Sequence, residues 1–97
     1  MTTKMDIVLD TIERAMIDDN NEFGVFDMEN NVTAVLRPVT HDGLRTIIVN
    51  AGAYSCTVTY HANRQNNDMF VHARTDVVTA IMNECQSYAT GWNVVRV

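Results

Sequence analysis

The seven residues YSCTVTY, Tyr54 to Tyr60, alternate strictly between larger apolar side chains and small hydroxyl ones. In a pleated strand successive side chains point to opposite faces. Tyr54, Cys56, Val58 and Tyr60 then share one face, and Ser55, Thr57 and Thr59 the other. Such a strand belongs to a sheet with one buried face and one face that is wet or covered by a partner. The buried face needs an apolar layer to lie on it, so the search for that layer decides the fold class.

Working outward, the middle of the chain keeps its β character. From Val32 to Tyr60, 12 of 29 residues are Val, Ile or Thr, whose branched side chains favour pleated backbone. Asn30-Asn31, His41-Asp42-Gly43 and Asn50-Ala51-Gly52 are turn signals that cut this run into pieces. The spacing predicts strands near residues 23–28, 32–37, 44–50 and 54–61, joined as an antiparallel meander. Pro38 has no N–H to donate, so its strand lies at an edge or ends close by. His61 to Asp68 reads as a polar loop, followed by a short fifth strand at Met69–His72. Trp92–Val97 closes the chain as a further strand.

The covering layer comes from two amphipathic segments. From Thr3 to Ile17, Met5, Val8, Leu9, Ile12 and Met16 recur at helical spacing, with Asp6, Asp10 and Glu13 on the opposite face. Thr3 followed by Asp6 has the form of a helix cap. A second helix is expected from Asp76 to Ala89, with Thr75 as N-cap and Gly91 near its stop. Val77, Val78, Ile81, Met82, Cys85, Tyr88 and Ala89 form its apolar face; Thr79, Asn83, Gln86 and Ser87 form a neutral polar one. The expected fold is a two-layer α+β domain over residues 1–97. Its antiparallel sheet has four to six strands with both helices on one face, in the order α-β-β-β-β-(β)-α-β.

With 97 residues, 46% hydrophobic and 20% charged, the chain is long enough for one cooperative core and unlike a disordered one. No apolar run approaches the ~20 residues that cross a bilayer. Acids interrupt the apolar start, unlike a signal peptide. Cys56 and Cys85 read as buried thiols, and a cytoplasmic location follows from the lack of any sign of an oxidising compartment.

Charge is unevenly placed. Residues 1–31 hold eight acids against Lys4 and Arg14, a net of −6, whereas residues 32–97 hold four acids against five arginines, a net of +1. Much of the negative charge falls in MIDDNNEFGVFDMENN, Met16 to Asn31. Read as a calcium loop, it places Asp18, Asn20, Glu22 and Glu29 at ligand positions and Val25 at the hydrophobic one. Phe23, however, stands where a sharp turn requires glycine, and a strand rather than a helix follows Glu29. The other readings are a solvated chain reversal and an acidic docking surface for a cationic partner. The docking surface would comprise Asp10, Glu13, Asp18, Asp19, Glu22, Asp27 and Glu29. Imitation of a long DNA duplex is disfavoured, since a face ~30 Å long would carry roughly eighteen charges and the whole chain has twelve carboxylates.

Other chemistry leaves little trace. His41, His61 and His72 lack ligand spacing, so no metal is expected. A Cys–His nucleophile would have to assemble in the fold from Cys56 or Cys85 with His61 or His72, against the apolar setting of both thiols. The four scattered glycines make no phosphate cradle, and no cofactor is expected. Asn63–Asp68, with Arg64, is a polar loop suited to a ligand or to solvent.

The expectation is a small acidic, non-enzymatic binding protein. Its profile fits a phage or mobile-element inhibitor of a host defence complex, of the anti-CRISPR kind, that blocks a basic nucleic-acid-binding surface without binding nucleic acid or membrane itself. The alternative is an acidic chaperone or antitoxin-like protein that masks a partner, as a homodimer through sheet edges. A third class is a small-ligand binder or enzyme using the histidines and Arg64.

Overall fold

The first helix, α1, spans Lys4–Ile17 and begins with a reciprocal cap. The Thr3 N–H donates to Asp6 Oδ2 at 3.1 Å, and the Asp6 N–H donates to Thr3 Oγ1 at 3.2 Å, so two of the helix's orphan donors are satisfied. Val8, Thr11, Ile12 and Ala15 are buried, with Met5, Leu9 and Met16 packed at the margin. The stripe is therefore centred one position away from the one expected, because the small Ala15 and a self-satisfied Thr11 allow close approach. The Thr11 hydroxyl donates to the Ile7 carbonyl at 2.7 Å. A computed structural model describes residues 3–17, 25–27, 29–63, 66–87 and 91–97, with backbone alone for 25–27 and 85–87.

Six strands follow: β1 (Val25–Asp27), β2 (Val32–Leu36), β3 (Leu44–Asn50), β4 (Cys56–His61), β5 (Asp68–Ala73) and β6 (Asn93–Arg96). They lie side by side in chain order. The first five form the expected antiparallel meander. The last pairing, β5 with β6, is parallel and makes the sheet mixed. The cause is the connection: α2 (Thr75–Ser87) carries the chain back over the sheet, so β6 enters in the direction of β5. α1 rests on β2 and β3, α2 rests on β5 and β6, and the helices touch each other. The result is a two-layer α+β fold with both helices on one face.

Sequence alternation and register agree across the sheet. Val32, Ala34 and Leu36 of β2, Ile47 and Val49 of β3, Cys56, Val58 and Tyr60 of β4, and Met69 and Val71 of β5 are all buried. Ile47 pairs with Val58 and Val58 with Val71, so branched side chains meet across three strands beneath Val8, Val77 and Ile81.

Several boundaries differ from expectation, three of them with a visible cause. The fourth strand starts at Cys56 rather than Tyr54, because Gly52–Tyr54 makes a single 3-10 turn with Gly52 at φ +62°. Ser55 stitches that turn: its Oγ accepts from the Ala51 N–H at 2.9 Å and donates to the Gly52 carbonyl at 2.7 Å. Tyr54 thus leaves the sheet, and the Arg74 guanidinium lies 4.9 Å from its ring centroid. β2 ends at Leu36, two residues before Pro38. At α2 the Arg74 carbonyl, not that of Thr75, accepts the Val78 N–H at 3.0 Å, so Thr75 is the first residue inside the helix. Tyr88 and Ala89 lie outside the described residues.

Candidate functional site

The acidic surface expected from the sequence is described in part. Asp10 is exposed on the outer side of α1 and pairs with Arg14 one turn later, Oδ2 to Nε at 3.0 Å. An exposed pair of this kind contributes about 0.3–0.5 kcal/mol and leaves the carboxylate open to water. Glu13 is half-buried on the same helix, and Glu29 is exposed in the turn between β1 and β2. Asp27 pairs with Val32 in the β1–β2 register. Asp18, Asp19 and Glu22 lie outside the described residues, as does most of the loop aligned to a calcium site. Glu29 is followed by Asn30, Asn31 and strand β2, not by a helix; Asn31 takes φ +56°, the left-handed backbone that Asn tolerates.

Topology spreads these acids out. α1 starts beside the Gly52–Tyr54 turn, where a Cβ on Gly52 would meet Lys4 Nζ at 3.7 Å. The β1–β2 turn lies at that end of the sheet too, since Thr33 pairs with Asn50. Glu29 therefore sits towards the start of α1. Asp6 belongs to the starting end, and its carboxyl is held below the usual carboxylate range by the Thr3 backbone N–H and the Thr3 hydroxyl. Negative charge runs along α1 rather than concentrating at one point.

The opposite side of the sheet is the face that the Tyr54–Tyr60 alternation leaves wet or covered by a partner. Register places Val35, Ile48, Thr57 and His72 in one row across β2 to β5, and Thr46, Thr59, Phe70 and Val95 in the next across β3 to β6. Both described helices lie on the other face. Val35 is 44% exposed, and within the strands no carboxylate or guanidinium stands in either row; Arg37, just past β2, flanks the second, its N–H donating to the Thr46 carbonyl at 2.9 Å. The Thr46 and Thr59 hydroxyls bond to each other at 3.1 Å. Asp68 sits at the margin, where its Oδ1 accepts from Asn93 Nδ2 at 2.9 Å. The alternation in Tyr54–Tyr60 held the signal for this face, whereas its breadth depended on strand order.

The nucleophile reading meets a geometric obstacle. Cys56 faces the helices, free and buried, and burial pushes its thiol up to about 12. His72 opposes Thr57, and His61 opposes Leu44; both belong to the other face of the sheet. Cys56 therefore meets neither histidine. Nothing is described of the Cys85 side chain or of Arg64. Among the described residues, no three His, Cys, Asp or Glu side chains gather as a metal site would require.

Two arginines hold structural positions. Arg45 is buried at 4% exposure on the helix-facing side of β3, opposite Tyr60. Its Nη1 donates to the Arg37 carbonyl at 2.7 Å, while its Nε has no partner. Sequence reasoning missed it because a charge at an inward register position breaks the apolar alternation. Arg74 Nε donates to Asp76 Oδ1 at 2.6 Å. This pairing raises the arginine and holds the Asp76 carboxyl below the usual range, locking the first turn of α2.

No helix among the described residues is long and apolar enough to cross a membrane. Comparisons with protein-family models, with curated proteins and with solved structures give no match to this chain.

Proposed function

We propose that this protein acts by binding rather than by catalysis, presenting the carboxylates of α1 and the segment after it to a cationic surface of another macromolecule. The supporting observation is charge segregation along an amphipathic helix. α1 buries Val8, Ile12 and Ala15 against the sheet and turns Asp6 and Asp10 outward, within a first third of net −6 against +1 for the rest. Such a surface favours a basic partner by long-range attraction and disfavours direct phosphate binding. In its concrete form, the protein is an inhibitor of a host defence complex, of the anti-CRISPR kind. Its carboxylates occupy a Lys- and Arg-lined groove that otherwise takes nucleic acid.

The test is competition. Purified RNA-guided effector complexes are assayed for DNA binding with and without the protein across a salt series. The reading expects loss of DNA binding that weakens steeply with salt, because screening shortens to a Debye length of about 8 Å at physiological ionic strength. Combined neutralisation of Asp10, Glu13, Asp18, Asp19 and Glu22 to their amides should abolish the effect while leaving the circular dichroism unchanged. Competition that survives those changes would refute the electrostatic mechanism. The alternative, a chaperone or antitoxin-like protein masking a partner chain, uses the same surface and differs in outcome: the captured partner would bind no nucleic acid.

A further inference from the structure

We infer that the open face of the sheet is the contact between two copies of this chain, which pack sheet against sheet into a four-layer homodimer with the helices outermost. The face itself is the first reason. Val35, Ile48, Phe70 and Val95 alternate there with Thr46, Thr57, Thr59 and His72, and within the strands the two rows carry no carboxylate or guanidinium; Arg37, whose N–H donates to the Thr46 carbonyl at 2.9 Å, flanks the second row just past the end of β2. Neutral apolar and hydroxyl groups lose little on leaving water when they meet their own kind.

Size selects the occupant. Six strands of three to seven residues, about 4.8 Å apart and about 3.3 Å per residue, give a face of roughly 500 Å² in projection, more once side-chain relief is counted. A stable interface takes about 800 Å² of accessible surface from each partner. A docked helix is about 10 Å across and would cover well under half of that width. A second sheet of the same breadth covers nearly all of it at the usual ~10 Å separation.

Charge selects a second copy as the source of that sheet. Each chain carries −5, so most ways of joining two copies oppose like charges. This one does not, because the outward carboxylates of α1 lie beyond the helix layer. Three ~10 Å layer spacings separate the two α1 axes by about 30 Å, several Debye lengths at physiological salt. Joining by edges, the arrangement expected for a dimer from the sequence, has less to offer. The described edge strands β1 and β6 are three and four residues long and present few unpaired backbone groups.

Sedimentation equilibrium of the full chain tests the inference. The wild type should sediment at twice its 10.9 kDa mass at about 50 µM, where an interface of standard size is populated. Val35→Lys and Thr57→Lys each place two unpaired cations in the contact and should weaken the dimer at least ~10-fold. Val39→Lys, equally exposed but outside the strands, should leave it intact. Val35 is exposed, so circular dichroism should show a folded V35K monomer. A monomeric wild type would overturn the inference and leave the face to a different partner. So would a dimer indifferent to both face variants. Neither result bears on the reading of α1, which faces away.

Discussion

The two faces of this one sheet are built from neighbouring residues yet obey different rules. Ile47 and Ile48 are adjacent in β3; Ile47 is fully buried beneath the helices, and Ile48 is half-exposed on the other side. Their chemistry is identical, so the difference lies entirely in what covers each side. The helix-facing layer draws its stability from close packing of Val8, Ile47, Val58, Val71 and Val77. The open layer is held by backbone pairing and cross-strand hydroxyls, and its apolar surface remains available to another molecule.

Substitutions at the paired isoleucines should expose this difference most strongly. Ile47→Ala should cost about 3 kcal/mol in denaturant unfolding, through lost burial and the cavity left behind, whereas Ile48→Ala should cost about 1 kcal/mol. Both are measured in the monomeric V35K background, where no second copy lies over Ile48; equal costs there would break the comparison. Thiol labelling offers a sharper view of the covered side. In a Cys85→Ala background, native Cys56 should react with an alkylating agent at pH 8 at least about a hundredfold more slowly than in the unfolded chain, since the thiolate is scarce and shielded.

Smaller effects belong to the ends of the helices. Thr3→Ala should lower stability by about 1 kcal/mol, the usual cost of a lost N-cap. Asp6→Asn gives the pH test. The folded carboxyl is held below its unfolded value, so its stabilising contribution is complete above the ordinary carboxylate range and disappears as pH falls through the lowered value. The wild-type advantage over Asp6→Asn should therefore be present at neutral pH and vanish in acid; an advantage independent of pH would assign it to something other than the charge. The smallest change should come from Asp10→Asn, within about 0.5 kcal/mol of wild type because the Asp10–Arg14 pair is exposed. Partner binding should nevertheless weaken in that variant, which separates the surface's function from its structure.

Much of the fold was legible in the residues. Periodicities of 3.6 and 2 located both helices and the central strands, because a side chain's partition between water and core acts locally and repeats with the backbone. The Thr3–Asp6 cap and the turns at Asn31 and Gly43 were legible for the same reason, being contacts between residues close in sequence. Less was legible where distant groups compete. Tyr54 continued the alternation in sequence yet left the sheet, since a 3-10 turn stitched by Ser55 and a neighbouring Arg74 claimed it. Arg45 carried no signal for its buried place beside Tyr60.

The chain's own pattern determined that there would be a half-buried sheet, two covering helices and an acidic first third, all consequences of which side chains prefer water. Only the tertiary structure decided that β6 joins parallel to β5, that the neutral side chains of five strands merge into one broad face, and that Glu29 stands towards the start of α1. Those outcomes depend on strand order and chain direction. Both are settled by the global packing of residues far apart in sequence, which no local preference encodes.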